Sequence, residues 1–492
     1  VPDPMNTPEP GAPTLVALQR RAIGVLAELT PAARELGEAF ARAGHELALV
    51  GGPVRDAFLG RVSADLDFAT SATPDQTQAI LARWGDTHWD IGKAFGTIGA
   101  SRRRGGAQVV VEVTTYRTDA YEASSRKPEV VFGETLEGDL SRRDFTVNAM
   151  AVRLPELAFV DPFGGLADLA RRTLRTPVTA RQSFDDDPLR MMRAARFASQ
   201  LGFDVDAEVR AAITEMNERI TIVSAERVRD ELSKLLLSDR PRRGLEVLVE
   251  TGLADHVLPE LPALRLEVDE HHRHKDVYQH SLTVLEQAIA LETGPDGPVP
   301  APDLWLRLAA LLHDVGKPAT RRFEPGGGVS FHHHEVVGAK LVARRLRALR
   351  FDKETVQAVA RLTELHLRFH GYGEGSWTDS AVRRYVTDAG PLLERLHRLT
   401  RSDSTTRNRR KAGRLSAAYD DLETRIAELR EKEELAAIRP DLDGAQIMEI
   451  LDIPPGPVVG QAYRHLLELR LDRGPLAEEE ARAALLEWWS AR

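Results

Sequence analysis

One stretch constrains this chain more than any other: residues 49 to 69 read LVGGPVRDAFLGRVSADLDFA. An apolar strand runs into Gly51-Gly52, a helix follows, and the next strand carries Asp65 and Asp67. Side chains alternate across a strand, so Asp65 and Asp67 share one face and Leu66 takes the other. Two carboxylates held this close repel unless cations lie between them, and Mg²⁺ prefers carboxylate and phosphate oxygens. That is the layout of a two-metal phosphoryl- or nucleotidyl-transfer site, with metals roughly 3.5–4 Å apart. Gly51 and Gly52 let backbone N–H groups approach a triphosphate, and Pro53 stands where a helix tends to begin. Taken alone, a D-x-D segment is more often a tight turn followed by a solvated acidic strand. The glycine pair upstream tips the balance toward the site.

A chain of 492 residues exceeds one hydrophobic core and is expected to divide into about three or four domains. No apolar run approaches the roughly 18 residues of a membrane span, and VPDPMNTPEPGAP lacks both a basic start and an apolar core. Residues 1–25 therefore read as a disordered leader, and the chain as cytoplasmic. With no cysteine there is no disulfide framework, thiolate zinc site or thiol nucleophile, which leaves His, Asp and Glu to bind metal. A net charge of −9 argues against a wholly basic nucleic-acid binder. Basic islands nonetheless occur at Arg102-Arg103-Arg104, at Arg240 to Arg243, and at 407–414. The last carries Arg407, Arg409, Arg410, Lys411 and Arg414, candidates to track an RNA backbone or to form a solvated helix face.

Along the chain, residues 31–43 are amphipathic and lead into the strand ELALVGG. A helix near 74–84, a loop holding FGTIG and the strand QVVVEVTTYR complete a mixed head. Glu112 stands among valines in that strand and is either an edge-face residue or a third carboxylate near Asp65 and Asp67. From about residue 180 helical periodicity takes over to the end. The expected fold class is an α+β head, a small mixed β-sheet with helices, followed by an all-α neck, a further helical domain and C-terminal helices.

Two more segments carry a resemblance: SRRDFTVNAMAV at 141–152, and FDDDPLRMMRAARFASQLGF at 184–203, with Pro188 near the start of a helix and Gly202 at its end. With GGPVRD and DLDF, the pattern resembles the class II tRNA nucleotidyltransferases, the CCA-adding enzymes, and their relatives the bacterial poly(A) polymerases, over about residues 30 to 250. The resemblance implies that Asp65 and Asp67 are catalytic and hold Mg²⁺. It also implies that Arg55 and Asp56 anchor the triphosphate beside Gly51 and Gly52, and that Arg142, Arg143 and Asp144 grip sugar and phosphates. Asn148, Arg193 and Arg196 join the nucleotide-binding set. Asp187 and Arg190 would read the incoming base, being spaced i, i+3 on a helix and so facing the same way. A carboxylate accepts from the exocyclic amine of cytosine or adenine and meets a keto oxygen in uracil and guanine, an unpaired polar contact that rejects them. The motif departs from relatives in carrying Asp186 where Glu is common, with Asp185 as an added carboxylate. SAERVRDELSKLL at 224–236 is similar to the family's helix-stabilising neck segment, which makes Glu226, Arg227 and Glu231 structural.

A second constellation comprises His280, His313, Asp314, His334, His366 and Asp403. Val277, Val284 and Ala288 lie three before, four after and eight after His280, so its imidazole points inward. The same spacing puts His313 with Leu306 and Ala310, and His366 with Val359 and Leu362. Together with the adjacent pair in LLHDVGK, these residues resemble the HD superfamily of metal-dependent phosphohydrolases. That resemblance implies His280, His313, Asp314 and Asp403 as ligands, with His334 and His366 extending the site to two metals. His332 and His333 compete with His334, which is preferred on the HE-x-x-G spacing after it. Imidazole and carboxylate without sulfur suit Mn, Fe, Co or Ni.

The resemblances imply template-independent addition and repair of the 3′-terminal CCA of tRNA from CTP and ATP, with an attached HD phosphohydrolase. Poly(A) polymerase and partial CC- or A-adding enzymes are the alternatives within that chemistry. An HD-type phosphohydrolase with an RNA-binding head is the alternative outside it. The expected division is a leader (1–25), head (26–175), neck (176–262), HD domain (263–410) and tRNA-contacting C-terminal helices (411–492), with no membrane and no protein partner implied.

Overall fold

Alternation in the first third of the chain becomes a seven-stranded mixed sheet. The computed structural model describes residues 15–61, 65–104, 107–120, 129–265, 276–325, 328–371, 377–405, 409–433 and 438–492. The chain divides into two compact units, Val1–Val257 and Leu258–Arg492.

The first unit begins with α1 (Leu15–Arg42), β1 (Leu47–Val50), α2 (Gly52–Phe58), β2 (Asp65–Thr70), α3 (Pro74–Trp84), β3 (Thr87–Trp89), β4 (Thr97–Arg104) and β5 (Ala107–Thr115). A separate hairpin, β6 (Arg117–Ala120) with β7 (Glu129–Phe132), precedes α4 (Leu136–Ser141), β8 (Ala151–Leu154), β9 (Ala158–Val160) and α5 (Gly165–Arg171). The strand order is β3-β4-β5-β2-β1-β8-β9, with β2 and β5 parallel and the other pairs antiparallel. Leu66, Phe68, Val111, Val113, Ile98 and Ala100 are buried on one face. Burying each large apolar side chain contributes about 1.5–3 kcal/mol. That pins the register, since a one-residue slip would turn the whole apolar set to water.

Two expectations need correction. The segment FGTIG is not a loop, because Thr97 opens β4 and pairs with Thr114 of β5. The disordered leader does not extend to residue 25. Helix α1 starts at Leu15, since Leu18 and Ala22, four apart on one helical face, are both buried. Residues 1–14 lie outside the described residues.

Helices α6 (Ala180–Asp186), α7 (Leu189–Leu201), α8 (Ala207–Met216), α9 (Ala225–Leu236), α10 (Pro241–Glu250) and α11 (Ala254–Val257) complete the unit. Helix α7 packs on α9 and α10 and is buried along most of its length, ending at Gly202 in a left-handed cap. Any charge on α7 must therefore find a partner.

Among its described residues the second unit is helical apart from one short strand pair and an isolated bridge between Thr293 and Pro300. It runs through α12 (Val277–Ala290), α13 (Leu304–Leu312), α14 (Lys317–Thr320), α15 (His334–Ala348), α16 (Lys353–Leu365), α17 (Asp379–Ala389), α18 (Leu393–Asp403), α19 (Arg409–Glu433), α20 (Gly444–Leu451), α21 (Pro457–Arg473) and α22 (Glu478–Ser490). Helix α13 is the central rod, buried from Leu306 to Leu312 and packed on α12, α16 and α18. Helices α20, α21 and α22 form a small core of their own around Ile447, Leu466 and Leu485. Among the described residues, no helix is long and apolar enough to cross a membrane.

Candidate active site and metal centre

The strand register of the first unit brings carboxylates together. Asp67 on β2 pairs with Glu112 on β5, and residues paired side by side in a ladder project to the same face. Both are exposed, opposite the buried Leu66 and Val111. Strand β5 lies between β4 and β2, so Glu112 is not on an edge strand; it sits directly beside Asp67. Asp65 opens β2 two residues earlier, in register with Val110.

Beside β2 on its other flank, β1 is followed by Gly51 with φ of 73°, a left-handed backbone that favours glycine. A Cβ there would stand 2.8 Å from Nη1 of Arg143, so the absent side chain is what lets that guanidinium lie against the turn. Arg143 is gripped from behind by Asp139 of α4, whose carboxylate accepts from Nη2 of Arg143 at 3.1 Å and from Nε and Nη2 of Arg142. Burial raises the pKa of Asp139, but Arg143 and Arg142 outweigh it and hold the group below its ordinary value. Asp139 went unnoticed in the sequence, although its i, i+3 and i, i+4 spacing to the two arginines is the signal of such a clamp.

A second series of polar contacts starts at Arg55. Arg55 donates from Nε to Asp56 at 2.9 Å and from Nη1 to Oδ1 of Asn148 at 2.7 Å. Asn148 donates from Nδ2 to Asp144 at 2.9 Å. The other oxygen of Asp144 accepts from Nε of Arg193 at 2.7 Å. Glu231 of α9 accepts from Nε of Arg196 and lies 3.7 Å from Nη1 of Arg193. The guanidinium groups of Arg55, Arg193 and Arg196 surround the Phe197 ring at 5.4, 5.5 and 4.0 Å. Burial pushes the pKa of Asp144 up, while Arg193, Asn148 and the Phe145 N–H overcome it and hold the carboxyl well below its ordinary range. Both Asp144 oxygens are thus engaged inside the protein, which gives Asp144 a bracing place between the sheet and α7.

Asp187 and Arg190 are arranged differently from the i, i+3 helical pair expected. Pro188 disfavours helical backbone at the residue before it, and Asp187 is extended, with φ of −147° and ψ of 102°, between α6 and α7. Its carboxylate accepts from the Leu189 N–H at 3.1 Å and pairs with Arg227 of α9 at 2.9 Å. Arg190 is buried and donates to Ser183 and to the carbonyl of Arg142. The two side chains thus take separate partners at the interruption between α6 and α7.

In the second unit the six expected residues converge. His280, His313 and Asp403 form one group and Asp314, His334 and His366 another, with ligand atoms within 4.8 Å of one another in each. Asp314 joins them: Oδ2 lies 3.2 Å from Nε2 of His313 and 3.7 Å from that of His280, and Oδ1 lies 3.2 Å from His334 and 4.0 Å from His366. His334 is buried, while His332 and His333 are exposed, which selects among the three. Nδ1 of His313, His334 and His366 meets the carbonyls of Ala310, Phe331 and Thr363 at 2.9, 2.9 and 2.6 Å. A carbonyl only accepts, so Nδ1 carries a proton in each and Nε2 is the ring nitrogen turned inward, the second-shell pattern of metal-bound imidazole.

The Nε2 atoms of these three residues are buried and make no well-aligned hydrogen bond. Burial alone would lower His313, but Asp314 outweighs it and raises it to about 10; burial and the neighbouring His313 push His366 down to about 3. His366 therefore points a bare lone pair at a carboxylate, an arrangement that a cation completes. Lys317, three residues after Asp314, sets Nζ 2.9 Å from Oδ2 of Asp314 and was not singled out from the sequence.

Of the basic run, Arg410 and Arg414 are exposed on α19, the backbone of Arg409 and Lys411 belongs to the same helix, and Arg407 lies outside the described residues.

Three family models match the chain: the Poly A polymerase head domain at residues 47–175, the probable RNA and SrmB-binding site of polymerase A at 202–264, and the HD domain at 277–408. An A-adding tRNA nucleotidyltransferase of Deinococcus radiodurans is 34% identical over 449 residues, spanning 90% of this chain and 95% of its own. A CC-adding tRNA nucleotidyltransferase of Thermus thermophilus is 33% identical over 454 residues, spanning 90% and 94%. Among solved structures, the Bacillus stearothermophilus CCA-adding enzyme in complex with CTP superposes with a TM-score of 0.63 at 25% identity, covering 96% of this chain and 98% of the other.

Proposed function

Since the chain belongs to the family of tRNA nucleotidyltransferases and poly(A) polymerase-like enzymes, we propose that it adds and repairs the 3′-terminal CCA of tRNA from CTP and ATP. The observation that carries this reading is the pairing of Asp67 with Glu112 on an open sheet face, next to a flank furnished with Arg55 and Arg143. Divalent metal held by Asp65 and Asp67, with Glu112 as a third carboxylate, would activate the acceptor hydroxyl and neutralise the triphosphate; Mg²⁺ suits an all-oxygen set. The acceptor oxygen bonds to the α-phosphorus as the bond to pyrophosphate breaks. Arg55 and Arg143 meet the departing negative charge already oriented, the first by Asp56 and Asn148, the second by Asp139, so no reorganisation is needed in the transition state. Asp144 and Glu231 act as positioning residues for Arg193 and Arg196. Asp187 and Arg190, at the break before α7, read the base once their internal partners are exchanged for it.

In the second unit we assign the HD cluster to a transition metal, Mn, Fe, Co or Ni, and to hydrolysis of phosphate esters. The four-part division at residues 175, 262 and 410, and a cytoplasmic setting, belong to the same reading. The exposed arginines of α19 are assigned to the tRNA backbone.

Incubating the full chain with tRNA lacking its last three nucleotides, and each labelled nucleoside triphosphate in turn, tests the proposal. Incorporation of CMP and then AMP supports it, and failure of all four triphosphates overturns it. A second reading, addition of only CC or only A, is favoured by the names of the two full-length relatives, and the same assay separates it.

A further inference from the structure

Four neighbouring strands line up one residue each on the carboxylate face. Trp89 on β3 pairs with Gly99 on β4, Gly99 with Glu112 on β5, and Glu112 with Asp67 on β2. The Trp89 indole lies over Gly99: a Cβ built there would stand 2.0 Å from Cε2 and 2.1 Å from Nε1 of the ring. Glycine at this position therefore lets the indole lie down across the sheet toward Glu112. Strands are about 4.8 Å apart, so the ring sits some two strands, about 10 Å, from Asp67. Trp89 is only half-buried, and the segment that follows it exposes Ile91 at 90% and Phe95 at 55%.

The direction matters. The groups assigned to the triphosphate, Gly51, Arg55 and Arg143, flank β2 on the β1 side, whereas Trp89 lies beyond β5 and β4 on the opposite side. In-line displacement requires the attacking hydroxyl to enter opposite the leaving pyrophosphate. From this geometry we infer that Trp89, laid flat over Gly99, is the platform on which the terminal base of the acceptor RNA stacks. A stacked nucleoside spans the ring-to-carboxylate distance and delivers its 3′-hydroxyl to Asp67. Aromatic stacking tolerates any base, as an acceptor whose last nucleotide changes with each round demands. The inference rests on the nucleotidyl-transfer reading and deepens it.

The test uses the full chain, tRNA lacking the last nucleotides, and an acceptor-stem minihelix ending in 2-aminopurine. Trp89→Ala should raise KM for the acceptor by about tenfold to a hundredfold, the worth of one base–aromatic stack, with KM for CTP and ATP unchanged. It should also abolish 2-aminopurine quenching. Trp89→Phe should stay within a few-fold of wild type. Gly99→Ala, which forces the indole off the sheet, should reproduce the loss with Trp89 intact. These two variants decide the matter if Trp89→Ala does not fold. An unchanged acceptor KM and unchanged quenching in Trp89→Ala and Gly99→Ala would overturn the platform, as would a rise confined to the KM of the triphosphates. If wild-type protein elongates no tRNA, it is the transferase reading that fails, a result distinct from either.

Discussion

The two candidate sites solve opposite problems with charged side chains. In the first unit the arginines come ready paired: Asp139 holds Arg142 and Arg143, Asp56 and Asn148 hold Arg55, and Asp144 holds Arg193. In the second unit, the inward Nε2 atoms of His313, His334 and His366 face the buried Asp314 carboxylate with no aligned hydrogen bond between them, while His280 and Asp403 bond each other at 2.9 Å. Buried donors pointed at a common spot form a site that is incomplete without an ion. Paired cations at the edge of an open sheet face form a site that is complete as a protein and waits for a larger anion. The paired arginines of the first unit suit the substrate recognition proposed for it, and the unpaired cluster of the second suits a bound metal.

The sharpest way to break this contrast is Asp67→Ala. Removing this exposed carboxylate, proposed to hold metal, from the open face of β2 should cost nucleotide addition at least about a thousandfold while leaving the melting temperature and tRNA affinity close to wild type. Addition at near wild-type rate would remove the carboxylate row from the reaction. Next in size is the second unit: replacing His313 and Asp314 together with Ala should leave the purified protein without tightly bound transition metal, read by elemental analysis. Undiminished metal would show that the cluster is a packed core and not a centre.

Smaller effects probe the pairing in the first unit. Asp144→Ala leaves Arg193 without its main partner. Because Arg193 is a third exposed, the loss in unfolding free energy should be about 2–3 kcal/mol, at or below the lower end for broken buried pairs. Denaturant unfolding measures it, and a change below the error of the titration would mean the network contributes nothing. Asp187→Ala should raise UMP or GMP incorporation relative to CMP and AMP by about tenfold, the effect of one lost polar contact. An unchanged ratio with slower addition would confine Asp187 to capping α7. The mildest effect is acidic. The folded-state pKa of Asp144 lies below its unfolded value near 3.9, so its stabilisation is present above about pH 4 and fades as pH falls through the folded value. Asp144→Asn should flatten the pH dependence of stability below about pH 4 and leave it unaltered above pH 5.

Sequence periodicity and local spacing carried a large part of this. Gly51, Asp67, His313 and Asp314 stand in short motifs whose geometry is fixed within a few residues, and the inward histidines follow from helical spacing to Val277, Leu306 and Leu362. What depended on tertiary pairing was hidden. Whether Glu112 joins Asp67 is a matter of register between strands some 45 residues apart, and no local pattern fixes it. Reading FGTIG as a loop concealed β4, and with it the seat of Trp89 over Gly99. The i, i+3 reading of Asp187 and Arg190 ignored the restriction that Pro188 places on the residue before it. His334 was preferred over His332 and His333 only on the spacing that follows it, and burial now separates the three.

The independence of the two sites is tested most directly by nucleotide addition in the His313→Ala, Asp314→Ala protein, assayed on tRNA lacking its last three nucleotides. Protein that has lost its tightly bound transition metal yet, supplied with Mg²⁺, adds CMP and AMP at the wild-type rate is the expected result. Loss of addition in a variant that remains folded and still binds tRNA would contradict it, and would make the HD cluster part of the transferase reaction.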